Sequence, residues 1–570
     1  MRSLSFLKKY KKEVVLGPLF KLIEATFELF VPLVVADIID RGIGGEDSAV
    51  VIRGSLLMVL LGVLGLVFSV VAQFFCARAA VGFAADLRAS LFKKIQSLSH
   101  EGVDRHGTSA LITRLTGDVN VLQNGVNLVL RLVLRSPFIV IGAAVMAFFV
   151  DASAAVWFVI VIPVLSLVVF GIMTLSVPLF KKVQRKLEDV LSLTEENISS
   201  ARLIRAFCAE ETEEKRFTDE NRLLYSLQKK GGRLSALTNP VTYVIINAAT
   251  VALLWSGAVR VDAGIIKVGA VVALFNYMSQ ILIELLKFAN VIVSVTKAKA
   301  SLDRVDAVLF EEDEKLPEAS DEIYEGKVCF DRVTLRYKGA AEPSLEDISF
   351  TAYPGETIGI IGGTGSGKTS LISLIGGFYT PESGTVSVDG RDVLSYDRKA
   401  LLSGIALVPQ KAVLFKGSIR DNLLWGRRDA SDEKLWDALR VAQAADFIEE
   451  KEGLDTPVSQ NGRNFSGGQR QRLTVARALV KRAGILILDD SSSALDFATD
   501  SAMRRAIRDL DYSPTVFIVT QRTSSIMHAD RIIVLDDGRI CGTGRHEELL
   551  ETCPEYREIH DSQFKKGGNE

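Results

Sequence analysis

Residues 357–369 read TIGIIGGTGSGKT, an apolar stretch that runs directly into a glycine-rich loop. The loop has the spacing G-x-x-x-x-G-K-T after a predicted strand and before a predicted helix, which is the context that this motif requires. Its glycines let backbone N–H groups curl around phosphates, while the lysine reaches the terminal phosphates and the threonine hydroxyl ligates Mg²⁺. We therefore predict a nucleotide site formed by Gly362, Gly363, Thr364, Gly365, Ser366, Gly367, Lys368, Thr369 and Ser370.

Two further motifs follow in the same half of the chain. Apolar residues 485–488 end in Asp489, the acid expected to hold Mg²⁺ through water, and Asp490 follows at once. Between the two predicted strands stands FSGGQ, residues 465–469, whose small residues leave backbone donors and a hydroxyl open to an anion at a helix N-terminus. This set of motifs predicts an α/β P-loop ATPase domain.

Length and composition point to two unlike halves. The chain has 570 residues, of which 48% are hydrophobic and 24% charged, and a single core stops growing at about 250 to 300 residues. Apolar runs fill the first part, and the charge run 311–325 reads as a linker. We predict a transmembrane domain over 1–310, a linker over 311–325 and a nucleotide-binding domain over 326–570.

Some classes of protein are disfavoured by the composition. The net charge is −2, and no basic tail or aromatic-basic stripe is present, so we expect no nucleic-acid partner. The five cysteines are scattered without a C-x-x-C pair. We therefore do not expect them to bind a metal, and we interpret them as reduced thiols.

The first half predicts an all-α membrane domain. A helix needs about 20 apolar residues to cross a membrane, and six segments qualify or nearly do: 14–39, 55–76, 132–150, 154–179, 241–259 and 268–295. The long connections 77–131 and 180–240 are rich in lysine and arginine, which predicts that they and both termini are cytosolic. Their helical spacing predicts helices that continue into the cytosol, although detached surface helices are an alternative. Turns near 104–107 and 205–210 are candidates for contacting the soluble half.

Three acidic residues fall inside the predicted spans. Glu24 and Glu28 share a face of the first helix, and Glu284 in the sixth could face the same interior. An ionised side chain in lipid usually faces a cavity or a partner. One interpretation is an acidic cavity that favours cationic substrates. The other is a position near the membrane interface or pairing with basic residues, for which the candidates are Lys21, Arg131, Arg135 and Lys287.

These elements together resemble the ATP-binding-cassette (ABC) superfamily, and the domain order is similar to that of its multidrug-type exporter half-transporters. The resemblance covers nearly the whole chain. It implies that residues 465–469 are the signature motif, with Phe465 at the first place, and that Gln410 is the glutamine that senses Mg²⁺. It also implies that Tyr337 stacks on adenine, although a core tyrosine is an alternative, and that residues 493–496, ending in Asp496, form the D-loop. The two cytosolic turns match the family's coupling helices.

The resemblance further implies a head-to-tail dimer in the cell membrane that binds ATP and Mg²⁺. Each ATP would lie between one chain's phosphate loop and the other chain's signature, here Ser466, Gly467, Gly468 and Gln469. At two positions the chain departs from the family's pattern. Asp490 stands where the family has a catalytic glutamate, and Gln521 stands where it has a histidine.

We expect both departures to weaken hydrolysis at this chain's own site, although aspartate could still position water and retain activity. Aspartate is one methylene shorter than glutamate as a general base, and glutamine cannot carry the charge of an imidazolium. This pattern looks like the degenerate-site subunit of bacterial heterodimeric exporters, which move amphipathic compounds such as drugs, lipids or peptides out of the cell. Two alternatives are a nucleotide-gated channel or regulator and a slow homodimeric exporter.

Overall fold

The computed structural model describes residues 2–311, 325–492 and 494–564. They form two compact units, one comprising Met1–Ser97 with His106–Glu312 and the other Leu98–Arg105 with Asp313–Glu570. Most of the predicted linker 311–325 lies outside the described residues, so the boundaries proposed from the sequence stay predictions.

The first unit is mainly helical in its described part, with short turns between the helices. Its helices are α1 (Lys11–Asp37), α2 (Ser48–Ser97), α3 (His100–His106, shared with the second unit), α4 (Thr108–Thr113), α5 (Val119–Leu128), α6 (Arg135–Val150), α7 (Ala152–Ser199), α8 (Ala201–Ala206), α9 (Glu210–Ala236), α10 (Thr238–Asp262) and α11 (Val268–Leu309). Two short π-helical segments, Arg114–Asp118 and Val129–Val133, join α4, α5 and α6 into one long helical stretch.

Five helical stretches of the described chain are long and apolar enough to cross a membrane. They are Ser48–Ser97, Thr108–Val150, Ala152–Ser199, Glu210–Asp262 and Val268–Leu309. α1 has 27 residues but carries three charged side chains in its middle, so a sixth crossing stays a prediction. The prediction that helices continue beyond the spans is confirmed, because α2 and α7 are unbroken over 50 and 48 residues.

The core of this unit is built from the inward faces of α1, α6, α7, α10 and α11. Phe158, Leu165 and Tyr277 are fully buried there, and the Tyr277 hydroxyl donates a 2.7 Å hydrogen bond to the carbonyl oxygen of Leu29. Outward-facing apolar side chains remain exposed, for example Leu167 at 76%. An apolar surface of this kind suits contact with lipid rather than water.

The second unit contains twelve described strands. They are β1 (Val328–Leu335), β2 (Leu345–Ala352), β3 (Thr357–Gly362), β4 (Ser383–Val388), β5 (Arg391–Asp392), β6 (Ile405–Val408), β7 (Gly417–Ser418), β8 (Pro457–Val458), β9 (Ile485–Asp489), β10 (Thr515–Val519), β11 (Arg531–Asp536) and β12 (Arg539–Gly544). The main sheet has the order β12-β11-β3-β10-β9-β6, parallel except for β12. A smaller antiparallel sheet has the order β2-β1-β4-β5.

The helices of this unit cover the main sheet and form a separate helical layer. They are α12 (Lys368–Ile375), α13 (Arg398–Ser403), α14 (Ile419–Leu423), α15 (Asp432–Val441), α16 (Ala445–Glu449), α17 (Gly467–Val480), α18 (Phe497–Arg508), α19 (His546–Thr552) and α20 (Pro554–Phe564). The central strands are buried on both faces: every residue of β9 and β10 is buried. A parallel sheet covered in this way reads in the sequence as continuous apolar runs, such as ILIL at 485–488.

The first predicted coupling turn, 104–107, begins in the segment Leu98–Arg105, which belongs to the second unit. The Tyr379 hydroxyl donates a 2.6 Å hydrogen bond to Asp104, and the rings of His100 and Phe378 lie 4.2 Å apart. These contacts lie within the second unit, and the coupling role of the turn stays a prediction. The second turn, 205–210, lies between the end of α8 and the start of α9 in the first unit, so its contact stays a prediction.

Candidate nucleotide site

The carboxyl ends of the parallel strands bring the site residues to one edge of the main sheet. β3 ends at Gly362, β9 at Asp489 and β10 at Val519. Val519 and Asp489 are in register, and the Asp490 amide donates a 2.9 Å hydrogen bond to the Val519 carbonyl. Ligands in open α/β sheets bind at this kind of edge.

The phosphate loop needs glycine at its last position before the helix. Gly367 has φ of +94°, and a Cβ there would lie 2.6 Å from the carbonyl oxygen of Ser344. Only glycine adopts this left-handed conformation without strain. α12 begins at the next residue, Lys368, so its free N–H groups and positive dipole end are presented to the pocket.

The ammonium group of Lys368 lies inside the curve of the loop. Its Nζ donates hydrogen bonds to the carbonyl oxygens of Gly362 at 2.8 Å and Gly363 at 2.5 Å. Burial lowers the pKa of Lys368, and the carboxylates of Asp490 and Asp489 oppose that shift. A desolvated ammonium close to a helix N-terminus attracts anionic phosphates more strongly than a hydrated one.

Three residues offer oxygen ligands of the type that Mg²⁺ prefers. The Thr369 hydroxyl lies 3.4 Å from an Asp489 oxygen, and Gln410 lines the same pocket. Burial raises the pKa of Asp489, and the hydrogen bond from Thr369 opposes that shift. A hydroxyl, a carboxylate and an amide are hard donors that fit this ion, although their roles stay predictions.

The two residues that depart from the family's pattern also line the pocket. Asp490 Oδ2 lies 3.5 Å from Gln410 Nε2, and Gln521 stands at the end of β10 on the same pocket. Burial raises the pKa of Asp490, while its hydrogen bond with Gln410 and the charges of Arg522 and Lys368 oppose that shift. Asp490 is held with φ of +45°, an uncommon conformation for a residue with a side chain.

The pocket gathers most of the residues predicted for the phosphate side. Its lining comprises Ser344, Thr364, Gly365, Gly367, Lys368, Thr369, Ser370, Gln410, Asp489, Asp490, Val519, Thr520 and Gln521. Sequence reasoning missed Ser344, which precedes β2 and reaches the site only through folding. It also missed Val519 and Thr520, although they adjoin Gln521 in the sequence.

Tyr337 is linked to the phosphate loop without lining this pocket. Its hydroxyl donates a 2.9 Å hydrogen bond to the Ser370 hydroxyl, and its ring meets the Tyr379 ring edge-on at 5.0 Å. The residue is also partly buried against the core of the small sheet. Both the adenine-stacking role and the core-tyrosine alternative therefore remain open.

The signature residues lie apart from this pocket, at the start of α17. The Ser466 hydroxyl accepts from the Gln469 amide at 3.2 Å, and the Gln469 side chain accepts from the Ser466 amide at 3.0 Å. This reciprocal cap fixes the helix start, while Ser466 and Gly467 remain exposed. Phe465 is buried beside Phe447, so the aromatic ring at the first place packs in the core.

Asp496 also lies outside the pocket of this chain. Its side chain caps α18 by accepting from the Thr499 amide at 2.9 Å. Ser493, in the predicted D-loop, lies outside the described residues. A role for Asp496 towards nucleotide stays a prediction.

A contact from the end of the chain holds the loop that carries Gln521. The Gln563 side chain, in α20, donates a 2.7 Å hydrogen bond to the Gln521 carbonyl. Its oxygen accepts from the Thr523 amide at 2.9 Å and from the Thr523 hydroxyl at 3.0 Å. No local motif marks Gln563 in the sequence, because the contact depends on how α20 packs.

The three acidic residues predicted to lie within the membrane spans are paired with basic residues. Arg135 contacts Glu28 at 2.6 Å and Glu284 at 2.7 Å, and Lys287 contacts Glu284 at 2.8 Å. The Ser136 hydroxyl donates a further 2.8 Å bond to Glu284.

The third acid of the membrane helices is paired as well. Lys21 contacts Glu24 at 2.5 Å. These contacts support the interpretation in which the acids pair with basic residues. Three basic residues balance the charge of the three acids, so no net negative charge remains there to attract a cationic substrate.

One chain carries a phosphate loop and an acid at the edge of a parallel sheet, together with long apolar helices. This combination defines an ATP-driven membrane transporter. Residues 14–285 match the family described as ABC transporter transmembrane region, and residues 345–493 match the family described as ABC transporter.

Similar proteins span the whole chain. The uncharacterized ABC transporter ATP-binding protein YfiB of Bacillus subtilis is 36% identical over 100% of this chain and 99% of its own length. An ATP-dependent lipid A-core flippase of Chromobacterium violaceum is 30% identical over 99% and 97%. The solved structure of a bacterial Atm1-family ABC exporter with ATP bound has the same fold, with a TM-score of 0.82, 23% identity and coverage of 98% and 99%.

This chain belongs to the ABC transporter family, as an exporter half-transporter. Its nucleotide-binding domain is cytosolic, and it couples ATP hydrolysis to transport across a membrane that it crosses several times. ABC exporters act as dimers.

Proposed function

We propose that this chain is one subunit of a heterodimeric exporter, in which its own phosphate loop binds ATP and Mg²⁺ but hydrolyses ATP poorly. Residues 465–469 would complete the catalytic site of the partner subunit. The observation that carries the proposal is that Asp490 and Gln521 both line the pocket. The resemblance implies that the family has a glutamate and a histidine at these two places. ATP favours the closed dimer, and hydrolysis at the partner's site resets it.

The length of Asp490 limits its use as a general base. Removing one methylene withdraws the carboxylate by about 1.5 Å on the same backbone, whereas a base must come within about 2.6 to 3.2 Å of the water it activates. The left-handed backbone at Asp490 and its contact with Gln410 fix the direction of the side chain. The loss of a general base costs about 10²-fold or more in rate, or about 3 kcal/mol.

Gln521 removes a charge from the same site. A neutral amide cannot act as an imidazolium that stabilises the γ-phosphate as it leaves. The bond from Gln563 to the Gln521 carbonyl holds the backbone in place, so the loop is positioned while the charge is missing. Such a site retains nucleotide but turns it over slowly.

The start of α17 is suited to serve the other subunit's nucleotide. Ser466 and Gly467 are exposed, the helix has 14 residues, and its dipole end favours an anion. Gly468 is tightly placed, because a Cβ there would lie 2.9 Å from the carbonyl oxygen of Ala494. A side chain at this position would disturb both packing and phosphate contact.

Single-turnover ATP hydrolysis by the two-subunit complex tests the assignment. Lys368→Ala weakens ATP binding at this chain's own loop, so we expect a partial loss of the hydrolysis rate. Gly468→Asp places a carboxylate against the γ-phosphate bound by the partner's loop, so we expect it to abolish turnover. Gly468→Ala is the matched control, since it adds the same Cβ without the charge. If Lys368→Ala abolishes hydrolysis and Gly468→Asp spares it, the working site has been assigned to the wrong chain.

A second measurement separates a heterodimer from a homodimer. The purified chain alone should hydrolyse ATP at least about 100-fold more slowly than the two-subunit complex, because both of its sites would lack the base. Asp490→Glu combined with Gln521→His should restore activity to the chain alone. Equal rates for the unmodified chain and the complex would establish a slow homodimer instead.

We propose amphipathic compounds, with lipids first, as the transported class. The supporting observations are the paired charges of the membrane helices and the 30% identical relative described as a lipid A-core flippase. In proteoliposomes, a fluorescent anionic lipid, a neutral lipid and a cationic dye should separate the possibilities. ATP-dependent movement of the dye alone would contradict the assignment of lipids as substrate. Separately, steady ATPase activity that a substrate stimulates would exclude a nucleotide-gated channel.

A further inference from the structure

Folding brings two of the scattered cysteines together near the end of the chain. Cys541 lies in β12, Cys553 stands between α19 and α20, and Glu555 lies in the first turn of α20. One ligand atom from each of the three residues lies within 4.8 Å of the other two. This group follows every nucleotide motif in the sequence, and neither the nucleotide site nor the proposed transport function uses it.

The local packing favours this approach of the two sulfurs. A Cβ on Gly542 would lie 2.8 Å from Cys553 Sγ and 3.1 Å from Cys553 Cβ, so the strand accepts the cysteine only because residue 542 has no side chain. Cys553 Sγ lies 3.3 Å from a Glu555 oxygen. Cys541 is exposed whereas Cys553 is buried, which provides an entry path from solvent to an otherwise enclosed donor.

We propose that Cys541, Cys553 and Glu555 form a binding site for a thiophilic divalent cation of the Zn²⁺ class. Two thiolates and a carboxylate are a donor set that Zn²⁺ accepts, and a tetrahedral ion with Zn–S bonds of about 2.3 Å places its sulfurs about 3.8 Å apart. The donors therefore need side-chain movements of only about 1 Å. Binding releases one proton from each thiol, and water takes the fourth position.

The site has a physical connection to the nucleotide pocket. Glu555 lies at one end of α20, and Gln563 at the other end holds the Gln521 carbonyl and both donors of Thr523. α20 has 11 residues, so the two contacts are separated by little more than two turns of one helix. A cation that fixes the start of α20 would therefore restrain the loop that carries Gln521.

The test uses the full-length chain in detergent, freed of metal by a chelator and kept reduced by a phosphine. Zn²⁺ is titrated against a chromophoric competitor, and Co²⁺ is added separately because thiolate ligation gives a characteristic charge-transfer absorption. We expect one equivalent bound per chain. Cys541→Ser, which alters an exposed residue, and Glu555→Gln should each weaken Zn²⁺ binding at least about 10-fold, and Cys541→Ser should remove about half of the Co²⁺ charge-transfer band.

The controls are Cys208→Ser and Cys329→Ser, which remove thiols outside the cluster and should leave both titrations unchanged. Cys553→Ser should abolish Zn²⁺ binding. Because Cys553 is buried, this variant can fail to fold, and Cys541→Ser and Glu555→Gln then provide the test. The proposal is overturned if Cys541→Ser and Glu555→Gln bind Zn²⁺ as tightly as the unmodified chain. It is equally overturned if mass spectrometry finds a Cys541–Cys553 disulfide in the reduced preparation.

Discussion

The contact between α20 and the loop after β10 gives a measurable prediction. Gln563→Ala removes three hydrogen bonds, one to the Gln521 carbonyl and two from the Thr523 amide and hydroxyl. Thr523 is fully buried, so its donors lose their partner in a site that water enters poorly. A buried unsatisfied donor costs about 1 to 3 kcal/mol, and we expect local opening of this loop to become easier by about 2 kcal/mol.

Hydrogen exchange measures this opening directly. A change of about 2 kcal/mol corresponds to about 30-fold faster exchange of the Thr523 amide, while amides in β9 should be unaffected. Gln563→Glu is the matched control, because a carboxylate still accepts from Thr523 but cannot donate to the Gln521 carbonyl. It should give a smaller increase than Gln563→Ala. Unchanged exchange at Thr523 in Gln563→Ala would refute the idea that α20 holds the loop.

Three further predictions concern other parts of the chain. In the two-subunit complex, Gly468→Asp should lower single-turnover hydrolysis by at least about 100-fold; an unchanged rate would contradict the role of α17. Tyr379→Phe removes the bond to Asp104, worth about 1 kcal/mol at a partly exposed position, and should lower substrate-stimulated ATPase about 5-fold while ATP affinity stays the same. Arg135→Ala removes one of the two basic partners of the buried Glu284 and leaves Lys287, so thermal stability in detergent should fall further than in Arg135→Lys. Equal stability of these two variants would show that the pairing is dispensable.

Much of the nucleotide site was accessible from the sequence because its elements are local. The loop 362–369 and the acid after 485–488 are contiguous motifs whose spacing is dictated by phosphate and Mg²⁺ geometry. Their meeting at one sheet edge follows from parallel pairing, in which β3, β9 and β10 end together. The contribution of Ser344 does not follow from any local rule, since it depends on where the chain before β2 crosses the phosphate loop.

The charged residues of the membrane helices illustrate the limit of periodicity. The sequence shows that Glu24 and Glu28 share a helix face, but a helical period cannot tell whether that face meets a cavity or a base. Packing places Arg135 between Glu28 and Glu284, residues separated by more than 100 positions along the chain. Only the three-dimensional arrangement of α1, α6 and α11 distinguishes the two interpretations.

The class of protein, the apolar helices, the phosphate loop and the two departures at Asp490 and Gln521 could be read without a structure, because each depends on adjacent residues or on a regular period. The approach of Cys541 to Cys553 and the contact of Gln563 with the loop after β10 are visible only in the folded chain. The physical reason is that long-range contacts depend on the direction in which each element packs, and neither composition nor local spacing encodes that direction for a single chain.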